Sequence, residues 1–223
     1  MFHLVLYEGD VITITDKVIY PGCIQAKLCP IRVTGIKSGG HVRYHLTKTI
    51  VLVGLMGAGK TAVGRLVAQE LGVDFVDSDE EIVKAANMSI AEIFERDGEE
   101  FFRGKETQVL DRLLDGTPCV LSTGGGAYMG AENRALIAEK GVALWLRADL
   151  GLLWDRVRHK DTRPLLHVPK PKEKLAELLA ERAPFYAKAA LVVDAEPHLS
   201  LDQMTTKTVK YLLNNPISGV TKE

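Results

Sequence analysis

The apolar residues of this chain fall into short runs separated by longer amphipathic stretches. The run at residues 50–53 is Ile-Val-Leu-Val, and a short, continuous, β-branched run of this kind is typical of a strand buried on both faces. Four similar runs follow, with room for a helix between each and the next. The predicted strands cover residues 50–53, 75–76, 119–121, 142–146 and 191–193.

Helical signals lie between these runs. Ser89 and Glu92 have the spacing of a capping box that opens a helix, the Asp97-Gly98 pair predicts a break, and a further helix is predicted to run to about residue 114. The last predicted helix covers residues 201–213. A helix directly after the first strand would place its apolar face at Val63, Leu66, Val67 and Leu71.

Strands that alternate with helices predict an α/β fold of three layers, α/β/α, with a five-stranded parallel sheet covered on both faces. In such sheets ligands bind at the carboxyl ends of the strands. The motifs described below all fall at predicted strand ends or in the loops that follow them.

Composition and net charge agree with an ordinary globular protein and favour no special class of partner. The chain has 223 residues, 46% hydrophobic and 26% charged, with a net charge of −1, so nothing global suggests nucleic acid or an anionic membrane as a partner. Three cysteines form no disulfide framework and fit a reducing compartment. The start of the chain lacks a basic signal-peptide region, and the longest apolar stretch is too short to span a bilayer. We therefore expect a cytoplasmic protein, and a monomer.

The most specific motif is a phosphate loop. Residues 54–61, Gly-Leu-Met-Gly-Ala-Gly-Lys-Thr, match G-x-x-x-x-G-K-[ST] at every fixed position, between a predicted strand and a predicted helix. Backbone N–H groups of such a loop surround a phosphate, Lys60 would contact the β- and γ-phosphates, and the Thr61 hydroxyl would bind Mg²⁺. The motif predicts a nucleoside triphosphate, ATP, but does not name an acceptor. The predicted nucleotide-binding residues here are Gly57, Ala58, Gly59, Lys60, Thr61 and Ala62.

Acidic side chains close the second predicted strand at Asp77 and Asp79. Carboxylates two residues apart in an extended segment point the same way. One could therefore face Mg²⁺ and the other a substrate hydroxyl. An acidic helix N-terminus, favoured by the helix dipole, is the alternative interpretation.

Arginines and glycines complete the candidate acceptor side. Arg103 lies early on a helix, Arg163 lies in a polar loop that could close over a substrate, and Arg182 lies near a helix end. Gly124, Gly125 and Gly126 directly follow the third strand, where close backbone approach would justify their entropic cost. Taken singly, each arginine could be a solvated surface residue or a dipole partner, and the glycines a simple flexible turn.

Together these residues resemble the shikimate kinases, with all motifs in order from about residue 49 to residue 213. The resemblance implies a P-loop fold like that of the nucleoside monophosphate kinases, with a mobile lid loop, and phosphorylation of the 3-hydroxyl of shikimate by ATP and Mg²⁺. It implies Asp77 and Thr61 for Mg²⁺, and Asp79 for the ring hydroxyls. The residues implied for the rest of the substrate are Arg103, Arg182, Gly124, Gly125 and Gly126.

The resemblance also implies two nucleotide-side arginines. Arg163 would be the lid arginine that reaches the transferring phosphate, and Arg156 would lie against the adenine. Phe94 and Phe102 would wall the shikimate pocket, although aromatic residues at helical spacing are more often plain core. The implied catalytic set is Lys60, Asp79 and Arg163. The alternatives are another small P-loop kinase, for gluconate or a nucleoside monophosphate, and an ATP-binding regulatory module without an acceptor.

The first 48 residues depart from the family pattern. They carry six Lys or Arg and three Asp or Glu, show only a weak strand-like alternation at residues 11–15, and are broken by Pro and Gly. We predict a loosely attached extension at residues 1–48, or an upstream start with the protein beginning near His45, then a kinase domain at 49–214 and a tail at 215–223. Cys23, Cys29, His41 and His45 have the wrong spacing for a zinc finger.

Overall fold

A computed structural model describes residues 5–7, 10–12, 43–159 and 164–223. The chain folds as two compact units, Met1–Gly40 and His41–Glu223. In the first unit, β1 (Val5–Tyr7) and β2 (Asp10–Ile12) pair antiparallel. The strand predicted at residues 11–15 overlaps the end of β2, and its remaining positions lie outside the described residues, as do Cys23, Cys29 and His41.

The second unit is built on a five-stranded parallel sheet, as the alternating pattern predicted. The spatial order of its strands is β5-β6-β4-β7-β8. The first of these strands along the chain is central and wholly buried, which explains its continuous apolar sequence. The strands of this unit are β3 (Tyr44–Leu46), β4 (Thr49–Val53), β5 (Phe75–Asp77), β6 (Val120–Ser122), β7 (Gly141–Arg147), β8 (Leu191–Asp194) and β9 (Val220–Lys222).

Helices connect these strands. Short 3-10 turns lie at Ala127–Met129, Pro164–Leu166 and Pro216–Ser218. Within the described part of the chain, no helix has both the length and the apolar character needed to cross a bilayer. The α-helices are α1 (Lys60–Leu71), α2 (Ser78–Ala86), α3 (Ile90–Leu114), α4 (Ala131–Lys140), α5 (Leu150–Val157), α6 (Pro171–Tyr186) and α7 (Leu201–Leu213).

The predicted capping box and break are both present in α3. The Ser89 hydroxyl accepts from the Glu92 N–H at 3.2 Å, and the Glu92 carboxylate accepts from the Ser89 N–H at 2.7 Å. Gly98 interrupts the helical backbone with φ 82° and ψ 175°, a conformation that costs glycine least. The helix α2 begins at the acidic helix N-terminus that was the alternative interpretation of Asp77 and Asp79. Its acidic first turn follows the preceding strand without a separating loop.

The hydrophobic core has two parts. The main one surrounds the sheet and includes the buried face of α1, where Val63, Val67 and Leu71 are each at most 3% exposed. A smaller cluster joins α2 to α3 through Ile82, Ile93, Phe102 and Val109. The second cluster holds together the two helices that carry Asp79 and Arg103.

A separate strand pair joins the two ends of this unit. β3 pairs antiparallel with β9, with Leu46 opposite Val220, and both residues are buried. β3 lies before the domain boundary predicted at residue 48, and β9 lies after the one predicted at residue 214. The boundary between the two units lies before β3, between Gly40 and His41.

Candidate active site

The phosphate loop connects β4 to α1. Gly54, Gly57 and Gly59 have φ values of 140°, 84° and 98°, which side chains rarely adopt. A Cβ atom on Gly54 would lie 2.9 Å from the Leu146 carbonyl oxygen, and one on Gly57 would lie 2.8 Å from Cγ1 of Val157. The loop is therefore shaped by glycine and packed closely against β7 and α5.

Charged and hydroxyl groups lie at the start of α1. The Lys60 ammonium donates to the carbonyl oxygens of Gly54 at 2.7 Å and Leu55 at 3.3 Å, which holds it across the loop. The Thr61 hydroxyl donates to Oδ2 of Asp77 at 3.3 Å. Mg²⁺ is typically held by one or two protein oxygens with phosphate and water supplying the rest. The paired oxygens of Thr61 and Asp77 fit that requirement.

The predicted geometry of the two aspartates was wrong. The strand β5 ends at Asp77, which is the N-cap of α2: its Oδ1 accepts from the Asp79 N–H at 3.1 Å. Asp79 therefore lies in the first turn of the helix and not in an extended segment. The capping preference of Asp, together with the acidic first turn, favours the helix here. Both carboxylates nonetheless line the same cleft.

The three glycines after β6 lie against the candidate substrate residues. A Cβ atom on Gly124 would lie 2.7 Å from Oδ1 of Asp79, and one on Gly126 would lie 2.6 Å from a terminal nitrogen of Arg103. The Gly125 carbonyl accepts from the Arg182 guanidinium at 3.3 Å. The loop thus gathers one carboxylate and two guanidinium groups, and the absence of side chains at Gly124 and Gly126 leaves room for them.

A cleft of about 450 Å³ is lined by residues of both the phosphate loop and this glycine loop. Ala58 is buried behind it, and Arg103, Gly126 and Arg182 adjoin its lining through the contacts above. Arg163 lies outside the described residues. The sequence-predicted residues that line the cleft are Gly57, Gly59, Lys60, Thr61, Ala62, Asp77, Asp79, Gly124, Gly125 and Arg156.

Arg103 is held by two carboxylates on its own helix. It contacts Glu106 at 2.9 Å and Glu99 at 3.1 Å. Burial opposes the charge of Arg103, but the two glutamates outweigh it and raise the pKa of Arg103. Glu106 is only 2% exposed, and burial raises its pKa despite the arginine. Sequence reasoning missed Glu106, although its spacing of three from Arg103 on a helix was a usable signal.

Arg182 is fixed by α6 near the end of that helix. Its Nε is buried and has no hydrogen-bond partner among the described residues. A buried guanidinium nitrogen of this kind is costly unless a ligand meets it. One turn later, the hydroxyl of Tyr186 donates to the Gly125 carbonyl at 2.6 Å. Tyr186 was also missed, because a contact 61 residues distant leaves no local pattern.

Arg156 contacts the phosphate loop and lines the cleft. One of its terminal nitrogens donates to the carbonyl oxygens of Gly57 and Ala58, each at 3.2 Å, and burial lowers the pKa of Arg156. The cleft is also lined by the start of α7 and the residues before it, at Leu199, Ser200, Leu201 and Met204, which sequence reasoning did not single out.

Phe94 and Phe102 form an aromatic pair with ring centroids 4.6 Å apart. Phe102 is 4% exposed and belongs to the smaller core cluster, whereas Phe94 is 36% exposed. Phe102 is therefore chiefly a core residue, and Phe94 offers an apolar face to solvent.

The phosphate loop lines a cleft that also has carboxylate and guanidinium groups at its glycine loop. These features define a P-loop phosphotransferase with a small anionic acceptor. Comparison with known families agrees. The family model described as shikimate kinase matches residues 56–213, and the chain belongs to the shikimate kinase family.

Individual relatives support the assignment. The chain is 57% identical to a shikimate kinase of Ruegeria pomeroyi over 174 residues, which is 78% of this chain and 88% of the relative. It is 57% identical to one of Cereibacter sphaeroides, over 81% and 90% of the two chains. The structure of a shikimate kinase from Acinetobacter baumannii in complex with shikimate superposes with a TM-score of 0.71 at 39% identity, covering 75% of this chain and 94% of that one.

Proposed function

We propose that this protein transfers the γ-phosphate of ATP to the 3-hydroxyl of shikimate, a step in chorismate and aromatic amino acid biosynthesis. The observation that carries the proposal is the convergence of Asp79, Arg103 and Arg182 on the three-glycine loop, which lines the same cleft as the phosphate loop. Family membership agrees with this acceptor.

The acceptor side has the groups that shikimate requires. Shikimate carries one carboxylate and three hydroxyl groups on a small ring. Arg103 and Arg182 supply guanidinium groups, which bind carboxylates through paired N–H donors, and the buried Nε of Arg182 offers one such donor. Asp79 accepts hydrogen bonds from ring hydroxyls. A neutral sugar would leave the buried Nε of Arg182 without an anionic partner.

The nucleotide side would hold ATP and Mg²⁺. Gly57, Gly59 and Ala62 would surround the phosphates with backbone N–H groups, and Thr61 and Asp77 would hold Mg²⁺ directly or through its waters. When bound, the ion neutralises charge on the β- and γ-phosphates. Arg156 would lie beside the adenine, which its place in the cleft lining and its contacts with the phosphate loop support.

In the transfer step a bond forms between the 3-oxygen of shikimate and the γ-phosphorus. The bond from that phosphorus to the oxygen bridging the β-phosphate breaks, and ADP leaves. Asp79 orients the hydroxyl in line and takes its proton, while Lys60 neutralises charge on the phosphoryl oxygens. Arg163 would add a second cation from the lid. Such positioning and charge neutralisation account for most of phosphoryl-transfer catalysis.

Acceptor choice tests the proposal. The purified protein is incubated with ATP and Mg²⁺ and, separately, with shikimate, gluconate or a nucleoside monophosphate, and products are identified by mass spectrometry. We expect phosphorylated shikimate alone. Phosphorylated gluconate or nucleotide without phosphorylated shikimate would contradict the proposal, and ATP binding without any phosphorylated product would favour a regulatory module. The expected compartment is the cytoplasm, where ATP is available, and the expected state is a monomer.

A further inference from the structure

The Gly125 carbonyl accepts two hydrogen bonds from one helix. The hydroxyl of Tyr186 donates to it at 2.6 Å, and the guanidinium of Arg182 donates at 3.3 Å. Both side chains lie on α6, four residues apart, and so on the same face. The glycine loop is therefore tied to α6 through one oxygen atom.

The direction of the Gly125 carbonyl also fixes the direction of the Gly126 N–H group. The bond between Gly125 and Gly126 is trans, and in a planar trans peptide the C=O of one residue and the N–H of the next point in opposite directions. Because the Gly125 carbonyl points to α6, the N–H of Gly126 points away from it. Glycine peptides have wide conformational freedom, so without a fixed partner this peptide could rotate.

A plain packing role explains only part of Tyr186. The residue is 0% exposed, and its ring lies 5.9 Å from that of Trp145 in the main core. Phenylalanine would supply the same packing. What the hydroxyl adds is one short hydrogen bond to the loop and an interaction with the Arg182 guanidinium. Burial raises the pKa of Tyr186 to about 12 although Arg182 opposes that rise, so the hydroxyl keeps its proton at neutral pH.

We propose that Tyr186 is a positioning residue for shikimate: its hydroxyl holds the Gly125 peptide, and with it Arg182, in the orientation that meets the acceptor. The proposal rests on the proposed function and extends it to a residue outside the cleft lining. Tyr186 acts through Gly125 and Arg182 and contacts no reacting atom. Its removal affects acceptor binding and leaves the nucleotide side unchanged.

The test is Tyr186→Phe, which keeps the ring and removes the hydroxyl. Loss of one neutral hydrogen bond predicts a rise of roughly 3- to 10-fold in the KM for shikimate and a fall of a few degrees in the thermal midpoint, with the KM for ATP nearly unchanged. The matched control is Tyr211→Phe on α7, whose hydroxyl accepts from the Val192 N–H at 3.5 Å and so contacts the edge of the sheet instead of the glycine loop. The control should leave both KM values as they are.

The outcomes separate this inference from the function on which it rests. A selective rise in the KM for shikimate supports the positioning role. Unchanged KM values, or equal rises in both, would overturn it, since a packing role alone does not distinguish the two substrates. If the unsubstituted protein shows no shikimate-dependent turnover, that result would instead contradict the proposed function.

Discussion

Gly124 shows how much of the site depends on a missing side chain. Its φ is not positive, so alanine can adopt the backbone, but a Cβ atom would lie 2.7 Å from Oδ1 and 3.3 Å from Oδ2 of Asp79. Gly124→Ala must therefore displace the Asp79 carboxylate. We predict that kcat/KM for shikimate falls roughly 10- to 100-fold, because small misplacements of reacting groups have effects of that size.

A control for Gly124→Ala is available on α3. A Cβ atom on Gly104 would meet nothing within 4 Å, so Gly104→Ala should leave kinetics unchanged and stabilise the helix by up to about 1 kcal/mol. Steady-state kinetics of both variants measures the difference. Normal turnover in Gly124→Ala would show that Asp79 is not held against this loop during the reaction.

Glu106 predicts a pH dependence of stability. Burial raises its pKa in the folded protein above the ordinary value of 4.5, so the folded state binds this proton more tightly than the unfolded state does. Stability contributed by the protonated group is then lost as the pH rises from about that value through the raised pKa. Glu106→Gln cannot ionise and should gain stability relative to the unsubstituted protein across this window.

Denaturant unfolding of both proteins at several pH values from 4.5 upward tests this sign. At the acidic end the two proteins should differ least, because protonated Glu and Gln are close in shape and charge. A gap that stays constant would show that the ion pair with Arg103 offsets burial, and one that turns against the variant as the pH rises would show that the ion pair outweighs it.

The sequence indicated the candidate residues of the cleft better than the residues that hold them in place. The phosphate loop, the aspartate pair, Arg103 and Arg182 were singled out because their types and spacing are tied to chemistry, and the structure brings them close together. Their roles stay predictions. Tyr186 and Glu106 were missed because their importance comes from a distant contact and from burial, neither of which a local pattern records. The extended Asp77-x-Asp79 geometry was wrong because the helix cap at Asp77 redirected the chain.

At the scale of single elements, α3 depends on its capping box. Ser89 and Glu92 satisfy each other's backbone N–H groups, and the first turn carries Ile93, which is 1% exposed in the smaller core cluster. Ser89→Ala should lower the free energy of unfolding by about 1 kcal/mol. Ser89→Asp should retain most of the stabilisation that the cap supplies, because Asp is also a good N-cap residue. Denaturant titration of the two variants checks the cap, and equal losses in both would contradict it.

Elements were predictable where local signals agreed. The last helix was predicted at residues 201–213 and is observed there, because its amphipathic pattern and the Ser200 cap coincide. The β6 strand was predicted one residue early, at residues 119–121, within the usual uncertainty of element ends. The helix α2 was only the alternative interpretation of Asp77 and Asp79, because the strand ends and the helix cap begins at the same residue, Asp77.

At the scale of the whole molecule, the β3–β9 pair joins residues near the two ends of the second unit. Leu46 is 8% exposed and lies opposite Val220, which is 3% exposed. Leu46→Ala should cost about 2 kcal/mol, or roughly 4–8 °C in the thermal midpoint. His45→Ala is the control, because His45 is an exposed neighbour in the same strand. Equal midpoints for both variants would show that the pair adds little.

The parallel sheet was predictable and this pair was not. Helices alternate with the strands of the sheet, so the pattern itself implies parallel crossovers. The pairing of residues 44–46 with residues 220–222 joins two short segments far apart in sequence, and neither carries a motif. The residue Arg163, with the closing loop assigned to it, stays a prediction.

The central claim is a phosphoryl transfer that depends on shikimate, and ADP release measures it most directly. The purified protein is assayed with ATP and Mg²⁺, with and without shikimate. We predict slow ADP release without shikimate. With shikimate we predict turnover of about 1–100 s⁻¹, the range usual for kinases. Release at the same rate in both assays would contradict the claim, because the acceptor side of the cleft would then have no part in the reaction.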